Sequence, residues 1–132
     1  MEWYCLNIID CCELIKIAGI ITNARNNVLK QVNNELLNAY WNIGHVIVEN
    51  ELKNNRGEYG KKLLAISKNL TNQFGKGFSQ SNLYNMKMFY TKYPIFQSVT
   101  GKLSWTHYCE LLYISEDDKR SFYEKEAIQI GQ

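Results

Sequence analysis

Residues Leu63–Tyr93 read LLAISKNLTNQF, then Gly75-Lys76-Gly77, then FSQSNLYNMKMFYTKY. Leu63, Ile66, Leu70 and Phe74 recur at helical spacing and predict one apolar stripe. Gly75 follows the last stripe residue, where a left-handed C-cap is expected and glycine meets no side-chain clash. Ser79 stands at the N-cap of a second helix, where its hydroxyl can accept a bond from a first-turn N–H. Phe78 and Leu83 occupy the positions of a hydrophobic staple across that cap. A stop signal, a start signal and a clamp within nine residues predict a helix, a tight turn and a helix. That is the outline of a helix-turn-helix unit, a common way of presenting a helix to DNA.

Upstream, Val28, Val32, Leu36, Tyr40, Ile43 and Ile47 step by three or four residues, so a long helix is expected from Ile20 to about Asn54. Leu29, Leu37, Trp41 and Val48 widen its stripe, which predicts a well-buried element or one between two partners. Gly44 interrupts the pattern at a cost of about 1 kcal/mol relative to alanine, and close helix packing is its expected use. Residues 1–19 have helical spacing in parts and read as a docking helix or as a segment the domain does not need. Asn54–Gly60 reads as a polar connection into a basic helix that begins near Lys61. Arg56, Lys61 and Lys62 then stand at a helix N-terminus, where cations oppose the dipole but a bound phosphate would be favourable.

Downstream, Pro94 ends the second helix of the unit. Ile95–Lys102 is expected to be a loop, with a short wing conceivable. Ser104 caps a helix carrying Trp105, Tyr108, Leu111 and Leu112. Ser115 opens the last helix, with Glu116, Asp117 and Asp118 in its first turn.

The 132 residues suffice for one domain and are too few for two ordinary ones. A single proline favours an all-α fold of five or six helices with short connections. No run approaches the ~20 apolar residues of a membrane span, and no secretory leader is evident, so a cytoplasmic location is expected. Cys5, Cys11, Cys12 and Cys109 form neither a disulfide framework nor a metal-ligand spacing.

The net charge of +2 conceals an asymmetry. Lys53–Lys102 holds nine bases against Glu58 alone, a balance of +8, while the remainder holds six bases against twelve acids, a balance of −6. The bland reading is a solvated lysine-rich surface. Its coincidence with the helix-turn-helix outline favours a polyanion binder.

Little points to catalysis. The Gly-Lys-Gly lies between two helices and is too short for a phosphate loop. His45 and His107 sit on or beside apolar faces, and three consecutive carboxylates at a helix start point in different directions. No enzyme activity, cofactor, metal or small-molecule ligand is expected. On the second helix of the unit, a 100° step places Leu83, Met86, Phe89 and Tyr90 toward the core, with Asn82 on the same side bonding the turn backbone. Gln80, Ser81, Tyr84, Asn85, Met88 and Lys92 point away, with Lys87 on the flank. Glutamine and asparagine suit adenine edges, while Ser79, Ser81, Tyr84, Lys76, Lys87 and Lys92 suit phosphates.

Five blocks together carry a resemblance: Ile21–Arg25 with Asn34–Glu51, Tyr59–Leu64, Leu70–Tyr90 (LTNQFGKGFSQSNLYNMKMFY), Leu103–Leu112 (LSWTHYCELL) and Arg120–Ala127 (RSFYEKEA). In this order and spacing they closely resemble the N-terminal domain of the YhcG-type family of prokaryotic proteins. The resemblance covers roughly residues 20–131, which sets 1–19 apart from a domain at 20–132. It implies a helical, DNA-facing domain coupled to a C-terminal PD-(D/E)XK nuclease domain. The metal-binding carboxylates and lysine of that nuclease have no counterpart here, so nuclease activity is not carried over. The expectation is a DNA-binding module. The alternatives are a protein-interaction module that docks a separate nuclease subunit or forms a homodimer, and a truncated gene product.

Overall fold

A computed structural model describes residues 11–53, 56–96 and 101–130. The described residues form five α-helices: α1 Cys11–Lys53, α2 Arg56–Phe74, α3 Gln80–Lys92, α4 Trp105–Leu111 and α5 Asp117–Ile130. The fold is all-α, and no strand occurs among these residues. Among the described residues no helix is long and apolar enough to cross a membrane. The chain divides at Val32/Asn33 into two units, with α1 running through the division.

In the first unit the described residues, 11–32, are continuously helical. Helix α1 therefore starts nine residues before the expected Ile20. Of the two expectations for its stripe, burial or a place between two partners, burial is not met here, because Val28, Leu29 and Val32 are all more than half exposed.

The second unit, Asn33–Gln132, holds the core, and α3 is its centre. One cluster joins Leu37, Phe89, Tyr93, Leu103, Tyr108, Leu111 and Leu112. A second joins Ile47, Tyr59, Leu83 and Met86. Tyr40 and Trp105 pack against both, with ring centroids 4.7 Å apart. Leu83, Met86 and Phe89 are fully buried, so the face assigned by helical periodicity is the face observed. Helix α1 meets α3 at Gly44, where an added Cβ would collide with the Met86 carbonyl. The glycine lets two backbones approach closely. Trp41 Nε1 donates to Tyr93 O at 2.7 Å, and Asn33 Nδ2 donates to Gly101 O and Leu103 O at 3.0 and 2.8 Å. Thus α1 also holds the C-terminal end of α3 and the approach to α4.

Two further helix starts differ from expectation. Helix α2 begins at Arg56, so Gly57 and Gly60 lie inside it. Each glycine disfavours helix by about 1 kcal/mol. Tyr59, only 5% exposed, packs with Ile47, Leu83 and Met86, and burying its ring offsets that cost. Helix α5 begins at Asp117, with Glu116 rather than Ser115 at the cap position: Glu116 O accepts from Arg120 N at 3.0 Å, and the buried Arg120 guanidinium braces this entry by donating to Ile114 O at 3.0 Å and to Asp117. Residues 97–100 lie outside the described residues, and the conceivable wing with them.

Candidate nucleic-acid interface

The connection between α2 and α3 is bonded at four points. Gly75, at φ +85°, donates from its N–H to Thr71 O at 2.9 Å. Ser67, buried on α2, donates its hydroxyl to Phe78 O at 2.6 Å. Ser79 Oγ accepts from Asn82 N at 3.2 Å, the expected N-cap. Asn82 Nδ2 donates to Gly77 O, and Asn82 Oδ1 accepts from Trp105 Nε1 at 3.0 Å. Gly77, at φ +109°, completes the bend. Phe78 is part-buried against the cluster containing Leu83, consistent with the staple. Asn82 is therefore scaffold for the turn. Lys76 is exposed at the tip of this cross-braced connection.

The packing of α2 corrects one expectation. Its inward line is Tyr59, Leu63, Ser67 and Leu70, while Ile66 is 38% and Phe74 67% exposed. Lys61 and Lys68, seven residues apart, project opposite that line, Lys62 projects from the flank, and all three are exposed. Arg56 is the first residue of α2, whereas Lys61 and Lys62 stand in its second turn. The expected phosphate site of three bases at one helix end is not formed by that spacing. Lys68 was not among the sequence candidates, although its i, i+7 relation to Lys61 identifies it.

The outward residues of α3 divide into two groups. Gln80, Ser81 and Tyr84 are exposed, close to the turn. The N–H groups of Gln80 and Ser81 lie in the first helical turn, where no intrahelical acceptor exists. The others have partners within the protein. Asn85 hydrogen-bonds the Cys109 thiol, whose pKa is pushed up mainly by burial. Met88 packs on the core and does not point away. Lys87 Nζ pairs with Glu51 at 2.7 Å and lies 5.8 Å from the Tyr84 ring centroid. Lys92 Nζ donates to Leu112 O at 2.6 Å, behind the C-terminus of α4. Burial and then the Arg120 charge pull the Lys92 ammonium below its ordinary range, with Asp117 opposing. The residues free to meet a ligand are thus Lys76, Gln80, Ser81 and Tyr84, with Lys61, Lys62 and Lys68 on α2. None of these four lysines has an ion pair among the described residues.

The residues considered for chemistry sit in structural contacts. His45 stacks on Tyr90 with centroids 4.8 Å apart, and His107 Nδ1 lies 2.9 Å from Ser104 Oγ. Ser104 makes no side-chain cap bond to α4. Asp117 pairs with Arg120, and Glu116 lies 3.5 Å from Lys119. Among the described residues no three His, Cys, Asp or Glu side chains are grouped to hold a metal ion.

The family described as the DUF1016 N-terminal domain matches residues 16–131. A curated protein of Escherichia coli (strain K12), described as "Putative nuclease YhcG", is 30% identical over 149 aligned residues. The alignment covers 87% of this chain and 40% of that protein, so the chain spans well under half of its relative's length. No solved structure matches the chain.

Proposed function

The chain belongs to the DUF1016 N-terminal domain family, and we propose that it is a duplex-DNA-binding module, non-catalytic by itself, of a nuclease-associated prokaryotic protein. The observation that carries this reading is the cross-braced turn, which holds exposed Lys76 next to the exposed first turns of α3 inside the +8 segment. Lys61, Lys62, Lys68 and Lys76 would neutralise phosphates, and the free N–H groups of Gln80 and Ser81 would donate to a phosphate oxygen. Gln80 and Tyr84 share one exposed strip and would reach base edges, glutamine suiting adenine. Recognition helices of helix-turn-helix proteins contact bases chiefly through their N-terminal residues. That fits a helix whose remaining length is committed to the core. A relative described as a nuclease fits the same polyanion.

The test is fluorescence anisotropy with a labelled duplex, comparing the native chain with the Lys61→Glu/Lys62→Glu/Lys76→Glu variant. The variant should bind far more weakly and lose about three from the salt slope, with an unchanged melting temperature. Unchanged affinity would place the site elsewhere.

A further inference from the structure

In the first unit, the described residues 11–32 are helical and every large aliphatic side chain among them is exposed, from Leu14 at 42% to Ile15 at 70%. Leu14, Ile17, Ile21, Ala24 and Val28 follow one another at steps of three, four, three and four. That is the a/d alternation of a coiled-coil seam. The next seam position falls on Gln31, with Val32 beside it; Ile20 flanks the seam, while Ile15 and Leu29 lie off it.

We propose that this stripe is a dimerisation seam whose occupant is the same stripe of a second copy of the chain. A two-fold contact must be complementary to itself. The seam meets that condition: its bases Lys16 and Lys30 project from the opposite side of the helix, and the flanking positions carry only Glu13 and Arg25. No like charges are forced together. The stripe from Leu14 to Val32 runs about 27 Å at 1.5 Å per residue. A specific interface takes at least about 600 Å² from each partner, which is the area such a face has to supply. A membrane surface fits less well. Interfacial helices present a strongly basic polar face with aromatic anchors. Here the polar face holds Asn23, Asn26 and Asn27 with two lysines, and 11–32 contains no aromatic residue. The seam belongs to the first unit and the Lys76–Tyr84 surface to the second, and dimerisation does not depend on whether the chain binds DNA.

Sedimentation equilibrium of the full chain, from about 1 to 200 µM and without DNA, tests the proposal. The native chain should approach twice its 15.4 kDa mass as concentration rises, and high salt should not dissociate it. Ile17→Glu/Ile21→Glu should sediment as a monomer throughout, with the thermal unfolding of the second unit unchanged. Lys16→Glu/Lys30→Glu, on the far face, should dimerise like the native chain. A native monomer across the range overturns the proposal. So does a dimer indifferent to the isoleucine changes, or one lost equally in the lysine variant.

Discussion

Gly44 of α1 lies against the backbone carbonyl of Met86 in α3, with no room for a methyl group between them. This contact places α3 deep in the second unit, and so determines which of its residues reach solvent. Gly44→Ala forces the helices apart, because the obstructing atom is backbone and cannot rotate away. Overpacking of this kind costs about 1–3 kcal/mol, and the gain in helix propensity returns at most about 1. Urea unfolding should show a net loss. Gly60→Ala, in α2, meets nothing within 4 Å and should stabilise by about 0.5–1 kcal/mol.

Asn82 joins the turn to α4 through Gly77 O and Trp105 Nε1. Asn82→Ala leaves the part-buried indole N–H without its acceptor, at a cost of about 1–3 kcal/mol. The melting temperature should fall, while affinity for duplex DNA, measured well below the transition, should not change. Weaker DNA binding at unchanged stability would give Asn82 a reading role.

Lys92 and Lys76 make opposite predictions. Lys92→Met removes a charged donor from Leu112 O and should lower stability by about 1 kcal/mol, with the salt slope of DNA binding intact. Lys76→Met should leave stability unchanged and reduce that slope by about one. Paired melts and anisotropy titrations distinguish them.

Glu124 stands between the hydroxyls of Tyr93 and Tyr108, each 3.4 Å away. Burial raises its pKa, outweighing the two hydroxyl bonds and the nearby Arg120 and Lys125 charges. Tyr93 is raised as well, first by burial and then by Glu124, and stays neutral. A carboxyl whose folded pKa is raised favours the fold when protonated. Its stabilising contribution is complete below the unfolded value of about 4.3 and is lost as pH rises through the higher folded value. Glu124→Gln should remove this component. Urea midpoints of the native chain relative to the variant should fall on moving from about pH 4 to pH 7.

Local chemistry was legible in the sequence, and long-range partnership was not. The Gly75 cap, the Ser79 cap, the Leu83–Met86–Phe89 face and the Asn82 turn bond all depend on residues within a few positions of one another. Lys87 and Lys92 are separated from their partners by 36 and about 20 residues, so nothing local marks them as occupied. The start of α2 was hidden because Gly57 and Gly60 weigh against helix locally, while the Tyr59 packing that overrides them is tertiary. Leu37 and Ile47 of α1 are buried, whereas Val28, Leu29 and Val32 are exposed, because periodicity gives a face without saying what covers it.

In the proposed function, Lys61, Lys62 and Lys68 on α2 and Lys76 in the α2–α3 turn bind duplex DNA through its phosphates. The direct measurement is the dependence of duplex affinity on salt concentration for the native chain. Contacts from Lys61, Lys62, Lys68 and Lys76 predict a log–log slope near −4, at about −0.9 per phosphate neutralised. A slope near zero, or no binding at low salt, contradicts the account.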